Sequence, residues 1–337
     1  MKPFHDNHYD SIQALRGIAA LFVVLEHIRF LNCGAFGVDI FFIISGFMIM
    51  FSTHRNSKHF LIKRIVRIVP LYYLVTLGTF LLLLLFPAMF EQTKANPVFL
   101  LKSLAFIPFD IGGGVLQPIV RIGWTVNCEV FFYLLFFIAM KISHKYRGVI
   151  CSILLGVPVL IAQLTTSDFA PLTFYGNPIM LEFVLGILVY YICMGIYHTY
   201  CSSKLSKGVC YVAMIVAVML LAFLALTKKQ SSILGFYRLS SWGLPAMIIV
   251  LCFFVAGLFI KVPRPFVVLG NISFSLYLLH YYPVMLLDRK VFDFSTCTPY
   301  ALLGVFVSII ICILLGYGCW YLVEYRFTKW LRKHVNI

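Results

Sequence analysis

Charged residues are what this sequence has least of. Only 12% of its 337 residues are Asp, Glu, Lys or Arg, whereas 62% are hydrophobic and the mean hydropathy is +0.97. This composition excludes an ordinary soluble globule, because soluble domains carry about 25% charged residues. No stretch is polar and long enough to form a separate soluble domain, so we expect a single domain over residues 1–337. The sequence predicts an all-α, polytopic membrane helical bundle.

Acidic residues are especially scarce: 12 stand against 27 basic residues, which gives a net charge of +15. Here the basic residues alternate with apolar runs, which favours membrane orientation and anionic lipid over nucleic acid as the explanation. We therefore expect membrane lipid as a partner and no nucleic acid. The ten cysteines form no CxxC pair and no metal-ligand spacing, so neither a metal site nor a disulfide is expected.

Apolar runs of the length that crosses a bilayer, about 20 residues, recur along the whole chain. They predict about ten transmembrane helices, at 11–29, 36–53, 68–89, 124–142, 148–164, 177–197, 209–227, 241–260, 266–287 and 299–323. No cleavage signature accompanies the first run, which we interpret as a retained span. The stretch 96–111 is short and interrupted by Lys102 and Pro108, and is expected to be a re-entrant or interfacial helix.

Most lysines and arginines fall on one side of this predicted topology. They cluster after the second, fourth, sixth, eighth and tenth spans. Because basic residues concentrate in cytoplasmic loops, these segments and both chain termini are expected in the cytoplasm.

Two ionisable residues lie within the first predicted span. Arg16 and His27 are three helical turns apart, so they share one face at roughly 16 Å separation. Ionisable groups are costly in hydrocarbon and normally face a bundle interior or a wet cavity, which makes both residues candidates for function. The alternative for Arg16 is a structural ion pair, and for His27 a hydrogen bond to a nearby carbonyl.

The remaining polar residues separate by depth. Asp39, Glu129 and Glu182 lie near the outer ends of their spans, and His280 is expected at a height similar to that of His27. Arg64 and Arg67, three residues apart, are neighbours on one helix face at the inner boundary. The sequence thus predicts an anion-binding inner end and an outer half suited to acid–base chemistry.

Coenzyme A is a donor that fits this division. The planar guanidinium groups of arginines suit its phosphates. At near-neutral pH a histidine can remove the proton of a sugar hydroxyl that attacks the thioester. Asp39 or Glu129 could fix the imidazole tautomer. The predicted reaction class is acyl transfer to oxygen.

Other interpretations stay open at this stage. Asp39 could merely cap its helix, and Arg64 and Arg67 are expected from topology alone. Glu182 could pair with a nearby arginine. Ser273 and Tyr277 share a face with His280, and all three could form a helix-packing network. The alternative for the whole protein is a multi-pass transporter or flippase with a buried proton or anion relay.

Five segments of the sequence together resemble a known family. SIQALRGIAALFVVLEH, FGVDIFFIISGFMI, KRIVRIVPLYYL, GWTVNCEVFFYLLF and GNISFSLYLLHYYPV are similar, in this order, to motifs of the acyltransferase-3 family of membrane O-acyltransferases. The nearest resemblance is to its exopolysaccharide and O-antigen O-acetyltransferases, and it covers about residues 11–325. The sequence departs from the usual family motifs at two places. Glu26 lies directly before His27, and two residues, Tyr281 and Tyr282, separate His280 from Pro283.

The resemblance carries expectations about the site. It implies that His27 is catalytic and that Arg16, Arg64 and Arg67 bind the donor. It also implies that further residues line or brace the site: Asp39, Ser45, Trp124, Glu129 and His280. Acetyl-CoA is then the acyl-donor substrate, no cofactor is permanently bound, and the acceptor is a glycan or lipid-linked glycan. The implied location is the bacterial inner membrane; no oligomeric state is predicted.

Overall fold

The computed structural model describes residues 6–55, 57–90, 95–166, 168–201, 206–227 and 235–335. Among the basic residues behind the topology prediction, Lys2, Lys94, Lys204, Lys228 and Lys229 lie outside these ranges. Within them the regular structure is helical, apart from one isolated β-bridge between Asp110 and Leu116. The predicted all-α class is confirmed.

The α-helices follow one another along the whole described chain. They are α1 (Asp6–Glu26), α2 (Gly37–Arg55), α3 (Phe60–Leu85), α4 (Pro97–Leu104), α5 (Trp124–Ile142), α6 (Arg147–Leu164), α7 (Ala170–Tyr175), α8 (Leu181–Cys201), α9 (Lys207–Leu226), α10 (Phe236–Arg238), α11 (Leu244–Ala256), α12 (Arg264–Asn271), α13 (Ser273–Leu279), α14 (Tyr281–Lys290), α15 (Pro299–Cys319) and α16 (Thr328–Val335). Two π-helical segments, Leu239–Gly243 and Trp320–Phe327, precede α11 and α16.

Within the described ranges, 8 helical segments are long and apolar enough to cross a membrane. Each overlaps one of the predicted spans, which confirms a polytopic membrane protein. The predicted spans 11–29 and 266–287 have no counterpart among them. The first still forms a helix of 21 residues, α1. The total of about ten crossings stays a prediction.

The ninth predicted span is not one continuous helix. It is divided into α12, α13 and α14, with breaks at Ile272 and His280. Pro283 explains the second break, because proline has no amide N–H and so leaves the carbonyl of Leu279 without its usual helical donor. The backbone of His280 keeps helical dihedral angles across this break, and its side chain is fully buried.

Two other boundaries bear on the site. Helix α3 begins at Phe60, earlier than the predicted start at 68, so Arg64 and Arg67 belong to its first two turns. Helix α4 covers only 8 residues of the predicted interfacial stretch, which is too short to cross a bilayer.

The described chain divides into two compact units, Met1–Arg55 with Glu182–Trp320 and Asn56–Leu181 with Tyr321–Ile337. In the first, apolar residues of α1 such as Val24 pack with Leu276 of α13 and Cys312 of α15. In the second, the core includes Leu83 of α3. The prediction of a single domain stays a prediction.

Two glycines allow α1 and α12 to approach closely. A Cβ added to Gly270 would lie 1.9 Å from the carbonyl oxygen of Gln13, and one added to Gly17 would lie 2.8 Å from the amide nitrogen of Gly270. Neither position has room for a methyl group. This contact lies beside Arg16. The close approach that the glycines allow therefore determines where α12 places Asn271, the residue that holds Arg16 through Gln13.

We expect Gly270→Ala to destabilise the protein, because α12 would have to move away from α1. Overpacking of this kind costs about 1–3 kcal/mol, so thermal unfolding of the purified protein in detergent should begin at a lower temperature. Gly195→Ala is the matched control, since nothing lies within 4 Å of its added Cβ and alanine is the better helix former. Equal destabilisation by both variants would contradict the close approach.

Candidate active site

His27 lies one residue beyond the end of α1, where the helix tightens. Its backbone amide donates to the carbonyl of Val24 over 3.2 Å instead of to that of Val23. The carbonyl oxygen of Val23 lies 2.9 Å from Nδ1 of the His27 ring. The end of the helix therefore provides a backbone acceptor that fixes this imidazole, whose side chain is partly exposed.

A second histidine meets the same ring nitrogen. Nε2 of His280 lies 3.2 Å from Nδ1 of His27, and the two rings are nearly perpendicular, with centroids 4.8 Å apart. The other His280 nitrogen, Nδ1, lies 2.6 Å from the carbonyl oxygen of Tyr277. The ring of Tyr281 meets His27 edge-on at 5.5 Å. The break in the ninth predicted span thus places α13 and α14 around His27.

Arg16 is held by a chain of side-chain amides. Its Nη1 donates to Oε1 of Gln13 over 3.0 Å, and Nε2 of Gln13 donates to Oδ1 of Asn271 over 3.0 Å. Gln13 lies one helical turn before Arg16 on α1, while Asn271 ends α12. The network orients the guanidinium and leaves it partly exposed.

Asp39 is fully buried and paired with Arg238. Nε and Nη2 of Arg238 donate to the two carboxylate oxygens over 3.1 and 2.7 Å. The guanidinium also lies over the ring of Trp242, 4.6 Å from its centroid. The expectation that Asp39 fixes the His27 tautomer is therefore not what the geometry shows: the carboxylate holds Arg238, and His280 lies at His27 Nδ1.

Glu26, the residue before His27, forms hydrogen bonds to the backbone of the segment that connects α1 and α2. Its Oε2 accepts from the amides of Gly34 and Ala35 over 2.7 and 2.9 Å. The carbonyl of Ala35 lies 3.4 Å from Nη2 of Arg238. Glu26, Arg238 and Asp39 together tie the connection between α1 and α2, directly after His27.

Glu182 is buried next to Asp39. Its carboxyl group lies next to that of Asp39, and a Cβ on Gly243 would lie 3.4 Å from Oε1. The side chain is therefore enclosed by protein. The described residues show no ion pair between Glu182 and an arginine; the nearby Arg238 pairs with Asp39 instead.

The second unit contains the arginine pair and Glu129. The guanidinium of Arg64 lies over the ring of Tyr133 at 5.4 Å and over that of Phe60 at 5.7 Å. The hydroxyl of Tyr133 donates to the carboxylate of Glu129, one turn earlier on α5. Arg67, one turn after Arg64, also acts electrostatically on Tyr133. This arrangement leaves both arginines partly exposed.

The remaining predicted site residues are Ser45, Trp124, Ser273 and Tyr277. Ser45 and Trp124 are partly buried on α2 and at the start of α5. Ser273 is fully buried, while Tyr277 packs edge-on against Phe41 at 5.8 Å and supplies the carbonyl beside His280. Tyr277 and His280 therefore meet as the shared-face interpretation expects, through a backbone atom.

Sequence reasoning did not single out Arg238. Arg238 is nevertheless the residue that neutralises Asp39. The available signal was Asp39 itself, because a carboxylate at the start of an apolar helix needs a cation unless solvent reaches it.

Several known proteins are similar to this chain. A family model described as an acyltransferase domain matches residues 9–317. The exopolysaccharide production protein ExoZ of Rhizobium meliloti is 33% identical over 160 residues, 46% of this chain and 50% of ExoZ. The O-acetyltransferase OatA of Staphylococcus aureus is 24% identical over 317 residues, 83% of this chain and 51% of OatA.

A putative peptidoglycan O-acetyltransferase of Bacillus subtilis, YrhL, is 28% identical over 155 residues, 40% of this chain and 24% of YrhL. The chain spans about half the length of ExoZ and OatA. No solved structure matches it.

We expect Arg238→Gln to lower the thermal stability of the purified protein strongly. The change leaves the fully buried Asp39 charged and unpaired, and breaking a buried ion pair from one side costs about 3–5 kcal/mol. Adding Asp39→Asn should restore much of the loss, because the unpaired charge is then removed as well.

Arg29→Gln is the control for this prediction. Arg29 pairs with Asp288 over 2.8 Å, but 56% of its side chain is exposed, and exposed pairs contribute little. An Arg238→Gln protein as stable as the Arg29→Gln protein would contradict the role given to the buried pair.

Proposed function

Because this chain belongs to the acyltransferase family whose model it matches over residues 9–317, we propose that it is a membrane O-acetyltransferase acting on a glycan hydroxyl. The donor is acetyl-CoA, used as a substrate, and no other cofactor takes part. The observation that carries the proposal is the partly exposed His27, whose Nδ1 lies 2.9 Å from the carbonyl oxygen of Val23 and 3.2 Å from Nε2 of His280. The proposal assigns proton transfer to the other ring nitrogen, Nε2.

His27 serves as the general base. Nε2 takes the proton of the acceptor hydroxyl while the hydroxyl oxygen forms a bond to the thioester carbon. The carbon–sulfur bond then breaks, and the imidazolium returns the proton to the departing sulfur, which gives an O-acetyl ester and CoA thiol. Proton transfer by a positioned histidine of this kind typically contributes about 10²–10⁴-fold to the rate.

The arginines bind the donor. Arg64 and Arg67 face the same way on α3, and their planar forks match the phosphate oxygens of coenzyme A better than ammonium groups would. Arg16, oriented by Gln13 and Asn271, is a third donor-binding residue. Asp39, paired with Arg238, and Glu129, bonded to Tyr133, are proposed supporting residues of their own units.

The acceptor is a cell-surface or lipid-linked polysaccharide, such as an exopolysaccharide or O-antigen. ExoZ, named for exopolysaccharide production, and OatA, named as an O-acetyltransferase, support this class. The many apolar helices make the chain a multi-pass membrane protein, and the bacterial inner membrane, where lipid-linked glycans are assembled, is its proposed location.

We expect His27→Gln to lower the rate of acetyl transfer strongly. Purified protein in lipid nanodiscs would be given acetyl-CoA labelled in its acetyl group. The acceptor would be lipid-linked glycan isolated from a strain that lacks the gene, and the readout is label in the glycan. The rate should fall about 10²–10⁴-fold because the base is lost. His334→Gln is the matched control, since that histidine is exposed on α16, and it should transfer label normally.

Two outcomes would contradict the proposal. Label transfer by the His27→Gln protein at the normal rate would remove His27 from the chemistry. The transport alternative would be favoured if the wild-type protein transferred no label but moved labelled glycan or CoA across the membrane of vesicles that contain it.

We expect Arg64→Lys and Arg67→Lys to raise the KM for acetyl-CoA about tenfold with a smaller change in kcat, because lysine cannot bind a phosphate through two parallel hydrogen bonds. Lys63→Gln, on the same turn of α3, is the control for general loss of positive charge and should leave KM nearly unchanged. A kcat defect at unaltered KM would show that the pair does not bind the donor.

A further inference from the structure

Two histidines meet inside the first unit, and they differ in exposure. His280 is fully buried, whereas His27 is partly exposed. Only His27 is thus placed to exchange a proton with a substrate. The question is what a second, enclosed imidazole does at 3.2 Å from it.

The hydrogen bond to Tyr277 defines the protonation of His280. A carbonyl oxygen only accepts hydrogen bonds, so Nδ1 of His280, 2.6 Å away, carries a proton and donates it. The other nitrogen of a neutral ring is then an acceptor. Nε2 of His280 therefore presents a lone pair to His27.

The same reasoning applies to His27. Its Nδ1 lies 2.9 Å from the carbonyl of Val23 and 3.2 Å from Nε2 of His280. Both neighbours are acceptors, so Nδ1 must carry the proton, shared between them. A doubly protonated His280 would bring two N–H groups face to face, so the geometry requires a neutral His280.

We propose that His280 is a positioning residue that holds His27 in its Nδ1–H tautomer and accepts a hydrogen bond from the imidazolium formed during proton transfer. The inference rests on the proposed function for its catalytic meaning. In serine hydrolases a buried carboxylate has this task. Here a neutral imidazole performs it, which avoids an additional net charge among apolar helices, where charge is costly.

The Val23 carbonyl limits how much His280 contributes to fixing the tautomer and the position of the His27 ring. Without His280, the backbone still offers one acceptor to His27 Nδ1, so the tautomer remains favoured while the ring is held less firmly. We therefore expect a partial loss of rate upon substitution, smaller than the loss caused by removing His27.

Two substitutions at His280 test this role. His280→Phe removes the acceptor. We expect kcat to fall about 10- to 100-fold, the loss typical when the hydrogen-bond partner of a metal-bound histidine is removed, with the KM for acetyl-CoA unchanged. His280→Gln keeps an acceptor oxygen for His27 and should recover most of the rate. Thermal unfolding of both variants identifies any general damage to the fold.

Equal kcat values for the Gln and Phe variants, at equal stability, would overturn the positioning role. So would a defect confined to KM. Both variants lose the imidazole ring, but only the glutamine variant keeps a hydrogen-bond acceptor for His27. A difference in kcat between them therefore reports the loss of that hydrogen bond, even if phenylalanine weakens packing.

A spectroscopic experiment tests the tautomers without relying on activity. Protein with ¹⁵N-labelled histidine in nanodiscs would be studied by solid-state NMR, with the His27 and His280 signals assigned from the His27→Gln and His280→Gln spectra. Both neutral rings should carry their proton on Nδ1. A proton on Nε2 of His280, or on both of its nitrogens, would overturn the inference.

The two proposals can fail separately. If the wild type transfers no acetyl group but both rings are protonated on Nδ1, the proposed function fails and the tautomer assignment stands. If transfer depends on His27 while His280 carries its proton on Nε2, only the positioning role fails.

Discussion

The constraint that shapes this protein is the cost of polar and charged groups among apolar helices. With few charged residues and little water at membrane depth, an ionisable side chain persists there only if the protein supplies its partner. Asp39 has Arg238, Arg16 has the amide of Gln13, and His27 has both His280 and the carbonyl of Val23. These partners also determine which atoms remain for chemistry.

Backbone groups take part in this pairing as fully as side chains. The tightened end of α1 makes the Val23 carbonyl available to the His27 ring, and the carbonyl of Tyr277 fixes His280. Glu26 uses two amides of the following connection. Helix ends and helix breaks are therefore where the site forms, since only there do main-chain donors and acceptors lack their regular helical partners.

The sequence predicted those parts of the fold that depend on local pattern. Apolar length predicted the helical bundle. The shared helix face of Arg16 and His27 stays a prediction, because α1 ends at Glu26, one residue before His27. The break near His280 has a local cause in Pro283, although length alone suggested a single span. Its position beside Tyr277 and Tyr281 then decides what meets His27.

The long-range contacts could not be predicted in the same way. His27 and His280 are 253 positions apart, and Asp39 and Arg238 are 199 apart. Such pairs depend on how α1, α2, α10 and α13 pack, which neither hydropathy nor spacing specifies. Arg238 was therefore overlooked and Asp39 was assigned to the wrong partner, while the acyltransferase motifs pointed to His27 itself.

The central claim is that His27 acts on the acetyl group of the donor. The most direct measurement is an experimental structure with a thioether analogue of acetyl-CoA that cannot transfer its acetyl group. The account predicts that the acetyl carbonyl lies beside Nε2 of His27, with space for a hydroxyl between them. An analogue bound with its acetyl group away from His27, or seen only at the protein surface, would contradict it.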